Sequence, residues 1–217
     1  MIIGYLMKKT KIFLATRNKA KYPFLKKICD NVNCRFITPY DIDLDLKVEE
    51  SGGSILENAE IKAKAWSSHA DGIVLANDCG FDIPALKTGW KKEFSKRNVG
   101  GDEASDDEKR ERLLAVMKKL KGKGRKIIWT EAIALAFKGK LLGSIEYDST
   151  PGYIIEKLDP KIKIITGEFS SNLELKPHFG KIYSELTDKE IEETDKEMFK
   201  KFREFVKNKV KEFQNEK

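Results

Sequence analysis

The sequence predicts a single α/β unit over residues 1–217, with two lobes around a cleft. Three observations predict it. Short apolar, β-prone runs such as "KIFLAT" (residues 11–16) alternate with stretches whose apolar residues recur at helical spacing. Two longer strand-like runs flank Lys138-Gly139-Lys140, the pattern of a β-hairpin. The tail carries one apolar stripe at helical period. At 217 residues the chain is long enough to bury a core, and 40% hydrophobic with 35% charged residues reads as soluble and globular.

Each element has a local reason. Residues 11–16 read as a buried strand ending in a polar turn. Asn18 is a plausible N-cap for the following helix, but Pro23 is comfortable only in a first turn, which moves the helix start toward Tyr22. "CRFITPYDI" (34–42) suggests a second strand. Ser54 and Glu57 have the form of a capping box, opening a helix from Ile55 to about His69 that buries Ile55, Ala59, Ala63 and Trp66. Gly72 breaks it, Ile73 to Ala76 form a strand, and "NDCG" (77–80) follows at its carboxyl end. Ser105 or Asp106 caps another helix. Residues 126–137 and 140–147 make the hairpin, and 153–158 with 161–166 suggest a second one turning at Asp159-Pro160. From Asp188 the chain reads as helix, with Thr187 and Glu190 as its capping box and Met198, Phe199, Phe202, Val206 and Val210 on its apolar stripe. "MIIGYLM" reads as an added edge strand or a frayed extension, with Met7 as an alternative start.

Composition narrows the classes. No apolar run approaches the roughly 20 residues that cross a membrane, and the start lacks a basic leader. Cys29, Cys34 and Cys79 form no C-x-x-C pair, so a reduced cytoplasmic thiol set is the simplest account. His69 and His178 show no zinc spacing with them. The net charge of +7 is scattered among acids, and no nucleic-acid-reading motif accompanies it. A lysine-rich surface accounts for it and also favours a small polyanion.

Three features fall at strand ends or helix starts. Thr16 to Lys21 (T-R-N-K-A-K) offers backbone N–H groups, a helix N-terminus and positive charge, the ingredients of a phosphate cradle. Glu49 and Glu50 precede the helix that carries Lys62. Asp78 sits in "NDCG". A triphosphate needs a hard cation and ammonium groups to offset its charge, and Mg²⁺ is usually held by one or two carboxylates plus phosphate. Glu50 and Asp78 could hold it, Lys21 and Lys62 could face phosphate oxygens, and a carboxylate could take the proton of an attacking water. The plain alternatives stand beside these: solvated acids, a surface pair of Lys62 with Glu57 or Asp78, and an aspartate that caps a turn.

The combination resembles the inosine-triphosphate pyrophosphatase family. "FLATRNKAK" resembles its A-T-G-N-x-x-K, "EESGGSILENAEIKAKA" its E-E-T-G-x-x-x-x-E-N-A-x-x-K-A, and "LANDCGFDIPAL" its A-D-D-S-G-L-x-V-x-A-L. "FSKRNVGG" is similar to Y-S-A-R-Y-x-G, and "GKIYSELTDKE" to G-K-T-x-A-E-L-T-x-E-E. The blocks keep the family's order across most of the chain. The resemblance implies an elongated mixed sheet with flanking helices, commonly a dimer, and Mg²⁺-dependent cleavage between the α and β phosphates to a monophosphate and pyrophosphate. It assigns Asp78 and Lys62 to catalysis, Glu50 and Asp78 to metal, and Thr16, Asn18, Lys21, Lys62, Cys79 and Arg97 to substrate.

The departures are unevenly placed. Asn77 and Cys79 stand where the family has aspartate and serine, and Lys91-Lys92 replace a P-G. The base-reading loop G-F-G-Y-D-P aligns with "GEFSSN" (167–172), and the tail motif K-x-x-x-S-H-R with Ile191 and Asp195-Lys196-Glu197. The phosphate and metal half is largely kept and the base half is not, so an altered base preference is expected. Phe169 either stacks on a base or packs in the core. The alternative to an enzyme is a nucleotide-binding protein of the same fold with weak or lost catalysis.

Overall fold

The computed structural model describes residues 9–42 and 44–216. The N-terminal extension read from the sequence lies outside the described residues. The described residues form one mixed sheet of eight strands, in the order β2-β1-β3-β4-β6-β7-β8, with β5 on β4. β1 (Thr10–Leu14) runs parallel to β2 (Cys34–Ile37) and β3 (Ile73–Asp82). Helix α1 (Tyr22–Lys27) makes the first crossover and α2 (Ile55–Ser67) the second, as parallel neighbours require. α3 (Asp106–Val116) follows β3. β4 (Lys126–Phe137) and β5 (Lys140–Asp148) form the expected antiparallel hairpin, turning with Lys138 and Gly139 at φ 49° and 77°. β6 (Gly152–Ile154), β7 (Glu174–Lys176) and β8 (Lys181–Ile182) extend the far end.

Alternation along the strands sorts the core. Ile12, Leu14, Ile73, Leu75, Ile133 and Leu135 face α1 and α5 (Lys196–Asn215), whose Phe199, Phe202 and Val206 cover them. Phe13, Val74, Ala76, Ala132 and Ala134 face α2 and meet Ile55, Ala59, Ala63 and Trp66, the four residues expected to be buried there. A third cluster around Phe81, Trp90, Leu113 and Ile127 fills the far end.

Several local expectations are met. Asn18 caps a short 3-10 turn over Lys19–Lys21 by accepting from the Ala20 amide, and α1 starts at Tyr22 with Pro23 in its first turn. The box at Ser54 is half formed: its hydroxyl accepts from the Glu57 amide, while Glu57 accepts from Gly53 N instead. Ser105 with Glu108 and Thr187 with Glu190 make full capping boxes.

Three expectations need correction. β3 does not stop at Ala76 but runs to Asp82, so "NDCG" lies inside a strand, laddered to β4. The second hairpin does not form. Asp159 does nucleate a turn, accepting from the Lys161 and Ile162 amides, but the run after it is largely exposed and joins no strand among the described residues. β6 pairs instead with the start of β4 and with β7. The tail is two helices, α4 (Asp188–Thr194) and α5, broken at Asp195 (φ −118°, ψ 35°). Thr150 fixes the break: its amide donates to Asp195 Oδ1 at 2.7 Å and its hydroxyl to the Thr194 carbonyl.

Arg125 knits the far end. Its buried guanidinium donates to the carbonyls of Met117, Leu120, Ile154 and Ile155 at 2.6 to 3.1 Å. Replacing it with methionine keeps the packing of the stem and leaves those carbonyls short of donors. Arg125→Met is expected to lower the unfolding free energy in urea by about 3 kcal/mol; a change below about 0.5 kcal/mol, the usual range of a neutral surface substitution, would contradict this role.

Candidate active site

A gap in the sheet edge makes the site. β1 pairs with β3 only as far as Leu75, with a last bond from the Ala15 amide to the Leu75 carbonyl. Farther along, the segment 92–95 closes on β3: Ser95 Oγ accepts from the Phe81 amide and donates to its carbonyl. Gly80 permits this approach, since a Cβ there would sit 2.0 Å from the Lys92 carbonyl oxygen. Asn77, Asp78 and Cys79 occupy the stretch between. Their side chains alternate, Asp78 toward α2, Asn77 and Cys79 toward α1.

On the α2 side, Lys62 Nζ lies 2.7 Å from Asp78 Oδ1 and 3.2 Å from Glu50 Oε1. Lys62 and Asp78 are mostly buried (side chains 13% and 12% exposed), and Glu50 is half open at 42%. Arg97 reaches the same point, donating to the Glu50 carbonyl at 3.0 Å while its guanidinium stacks over Phe94. On the α1 side, Lys21 Nζ lies 3.5 Å from Cys79 Sγ. Burial opposes the charge on Lys21, but Cys79, Glu131, Glu168 and Asp78 outweigh it and hold the ammonium above its ordinary pKa. Burial, aided by Glu131, pushes the Cys79 thiol well up.

Thr16 and Asn18 build the turn. Thr16 Oγ1 accepts from the Asn18 amide, Asn18 Oδ1 from the Ala20 amide, and Asn18 Nδ2 donates to the Gly167 carbonyl at 3.0 Å. They hold Lys21 in place and tie its turn to residues 167–172. Glu50, Lys62, Asp78 and Arg97 are thus in direct contact, and Lys21 with Cys79 approaches from the opposite face of the same strand.

The donor set fits a hard cation. Glu50 and Asp78 already share one positive charge, and Mg²⁺ takes one or two carboxylates and completes its shell from phosphate and water. Such a site needs no third protein carboxylate; among the described residues no cluster of three His, Cys, Asp or Glu gathers to hold a metal.

The α1 side opens into a cavity of about 690 Å³. Lys21, Asn77, Cys79 and Glu131 line it, together with Trp129, Glu174, Lys176, Tyr183 and Asp195. Burial pushes Glu131 from its ordinary 4.5 up to about 8, with Glu168 adding to the shift and Lys21 opposing it. Phe169 packs on Phe81 in the third core cluster, so the core account of it holds.

Residues 12–190 match the Ham1 family. The chain belongs to the Ham1 family. Among relatives of this Ham1 chain is a "dITP/XTP pyrophosphatase" of Thermus thermophilus, 34% identical over 70% of both chains. Another protein of that name, from Thermoanaerobacter pseudethanolicus, is 27% identical over 73% of this chain and 86% of its own. A HAM1 protein structure from Coxiella burnetii superposes with a TM-score of 0.71 at 22% identity, covering 92% of this chain and 99% of that one. The resemblance read from the motifs is borne out at the level of family and of fold, a mixed α/β sheet with flanking helices.

Within this Ham1 fold the sequence reading missed Glu131, Glu174 and Lys176. Glu131 carried a signal: it is the lone acid in the apolar run "IIWTEAIALAF". Glu174 and Lys176 carried none, because a charge pair spaced by one residue normally marks an exposed strand face. Glu131 yields a pH test. The folded chain keeps its proton to higher pH than the unfolded chain, so this group costs stability as pH rises from about 4.5 toward 8. Glu131→Gln, a mimic of the protonated form, should gain about 1–2 kcal/mol on the parent between pH 5 and pH 8 in urea unfolding; a gain that does not grow with pH would contradict it.

Proposed function

We propose that this chain hydrolyses a nucleoside triphosphate to the monophosphate and pyrophosphate with Mg²⁺, and with a base preference altered from that of its relatives. The class of enzyme, a nucleoside triphosphate pyrophosphohydrolase, follows from the family. The observation that carries the rest is the Lys62 ammonium between Asp78 and Glu50, at the gap that Lys21 reaches from the other side.

The chemistry assigns each residue a task. Glu50 and Asp78 would hold the metal, which when bound neutralises phosphate oxygens. Lys21 and Lys62 stabilise charge that builds on the phosphates as the α–β anhydride breaks. Asp78 takes the proton of the water that attacks the α-phosphorus, and pyrophosphate leaves. Arg97 positions the Glu50 backbone through its hydrogen bond, and Cys79 sits beside Lys21 at the phosphate end. Thr16 and Asn18 support the phosphate turn. The altered preference rests on Glu168, Ser170 and Ser171 in the loop where the family reads its base, and on Asp195 in the tail. A homodimer and a cytoplasmic location belong to the same proposal. Among the described residues no helix is long and apolar enough to cross a membrane.

Pyrophosphate release from a panel of standard and modified (deoxy)nucleoside triphosphates with Mg²⁺ tests this reading. Asp78→Asn should lower kcat by about 10²-fold or more, the scale of a lost general base, while its Tm stays near the parent's. Parent-level activity in that variant would remove Asp78 from the mechanism. Binding across the panel without turnover would replace the enzyme by a nucleotide-binding protein.

A further inference from the structure

Lys21 depends on its backbone for its aim. Its ammonium has Cys79 Sγ at 3.5 Å as hydrogen-bond partner and joins no ion pair among the described residues. The turn that carries it is short. Asn18 Oδ1 accepts from the Ala20 amide at 3.0 Å, and the Lys21 amide donates to the Asn18 carbonyl at 3.1 Å. The direction of the Asn18 side chain therefore sets where Lys21 points, and that side chain is held from outside its own element. Asn18 Nδ2 donates to the Gly167 carbonyl at 3.0 Å, 149 residues away in the chain.

Gly167 is itself held on its other side. Its amide donates to Asp106 Oδ2 at 2.7 Å. Asp106 opens α3, between the two members of the capping box, Ser105 and Glu108. Asp106, Gly167, Asn18 and the Ala20 amide thus form one polar chain from α3 to the phosphate turn. Glycine is required at its centre, since φ there is +86° and a Cβ would lie 2.8 Å from Asn18 Oδ1. The segment after it is a fixed bracket. Phe169 packs on Phe81 in the third core cluster, the Glu168 carbonyl accepts from the Ser171 amide and hydroxyl, and the Ser171 carbonyl accepts from the Ser184 amide. Glu168 registers both ends of the chain: burial pushes its carboxyl up, Lys21 opposes the shift and Asp106 adds to it.

We propose that Asp106 is a positioning residue for the phosphates, acting through Gly167 and Asn18 on the turn that aims Lys21; this rests on the pyrophosphohydrolase reading for what Lys21 meets. The ordinary account of Asp106 is an acid in the first turn of a helix, which serves that helix alone. The two accounts differ in sign. A negative charge near a polyphosphate repels it, so electrostatics alone has anion binding tighten when Asp106 is neutralised. The hydrogen-bond chain has it weaken, because the Gly167 peptide loses its anchor and Asn18 its fixed acceptor. An amide in place of the carboxylate keeps an acceptor and loses only the charge, so it separates the two effects.

Calorimetry of inorganic tripolyphosphate with Mg²⁺ reads the effect without turnover. Asp106→Ala, at a Tm near the parent's, should bind about three- to tenfold more weakly, the scale of one lost hydrogen bond. Asp106→Asn should bind at least as tightly as the parent. In an Asn18→Ala background the chain is already cut, so Asp106→Ala should change the affinity by less than about twofold there. Gly167→Ala cuts the chain with Asp106 in place and should weaken binding by at least about threefold. Parent-like or tighter binding by folded Asp106→Ala would overturn the proposal. So would an equal weakening by Asp106→Asn, or the full loss again in the Asn18→Ala background. Should Asp106→Ala not fold, Gly167→Ala decides, and parent-like affinity in it overturns the proposal. Should no nucleotide be turned over while these affinities behave as stated, the pyrophosphohydrolase reading fails by itself and the positioning role stands.

Discussion

The site depends on one ammonium group held between two carboxylates. Lys62 is anchored by α2, Asp78 by β3 and Glu50 by the loop before α2, and they meet within 3.2 Å. Without the ammonium, Asp78 and Glu50 would repel each other across a mostly buried space. With it, they stay gathered, and the same arrangement suits a divalent ion bound with phosphate. The fold serves this meeting. The small residues Ala59 and Ala63 let α2 lie close on Ala76, Ala132 and Ala134, which brings Lys62 down to the strand. The early end of β1 leaves the edge of β3 open where Asp78 lies.

The second constraint is the alternation of β3. A strand sends neighbouring side chains to opposite faces, so Asp78 and Cys79 serve different sides of the sheet. One side carries the Lys62 cluster. The other carries Lys21 and the large cavity. A phosphate chain lying in the gap between them could be met by ammonium groups from both faces, with the rest of the nucleotide entering the cavity. That division parallels the one in the sequence, where the phosphate motifs are largely kept and the motifs aligned with base reading are replaced.

Much of this was legible in the residues. The phosphate turn, the acid pair before α2 and the "NDCG" stretch each pointed to the site, because capping signals and apolar periodicity fix short elements locally. β3 was read six residues too early at its end for a physical reason. Asn, Asp and Gly have poor strand propensity, and the ladder to β4 overrides it. The second hairpin failed similarly: a turn at Asp159-Pro160 is local, but whether the following run joins a sheet depends on distant Glu174–Lys176. The buried pair of Glu174 and Lys176 could not be seen, since its partners Trp129 and Thr150 lie at least 24 residues away in the chain.

The central claim is that Lys21 and Lys62 act on one bound polyphosphate from opposite faces of β3. Calorimetric binding of inorganic tripolyphosphate with Mg²⁺ to the parent, Lys21→Met and Lys62→Met tests it most directly. The account predicts that each single variant binds at least about tenfold more weakly, roughly 1.4 kcal/mol. Parent-like affinity in either folded variant would contradict it.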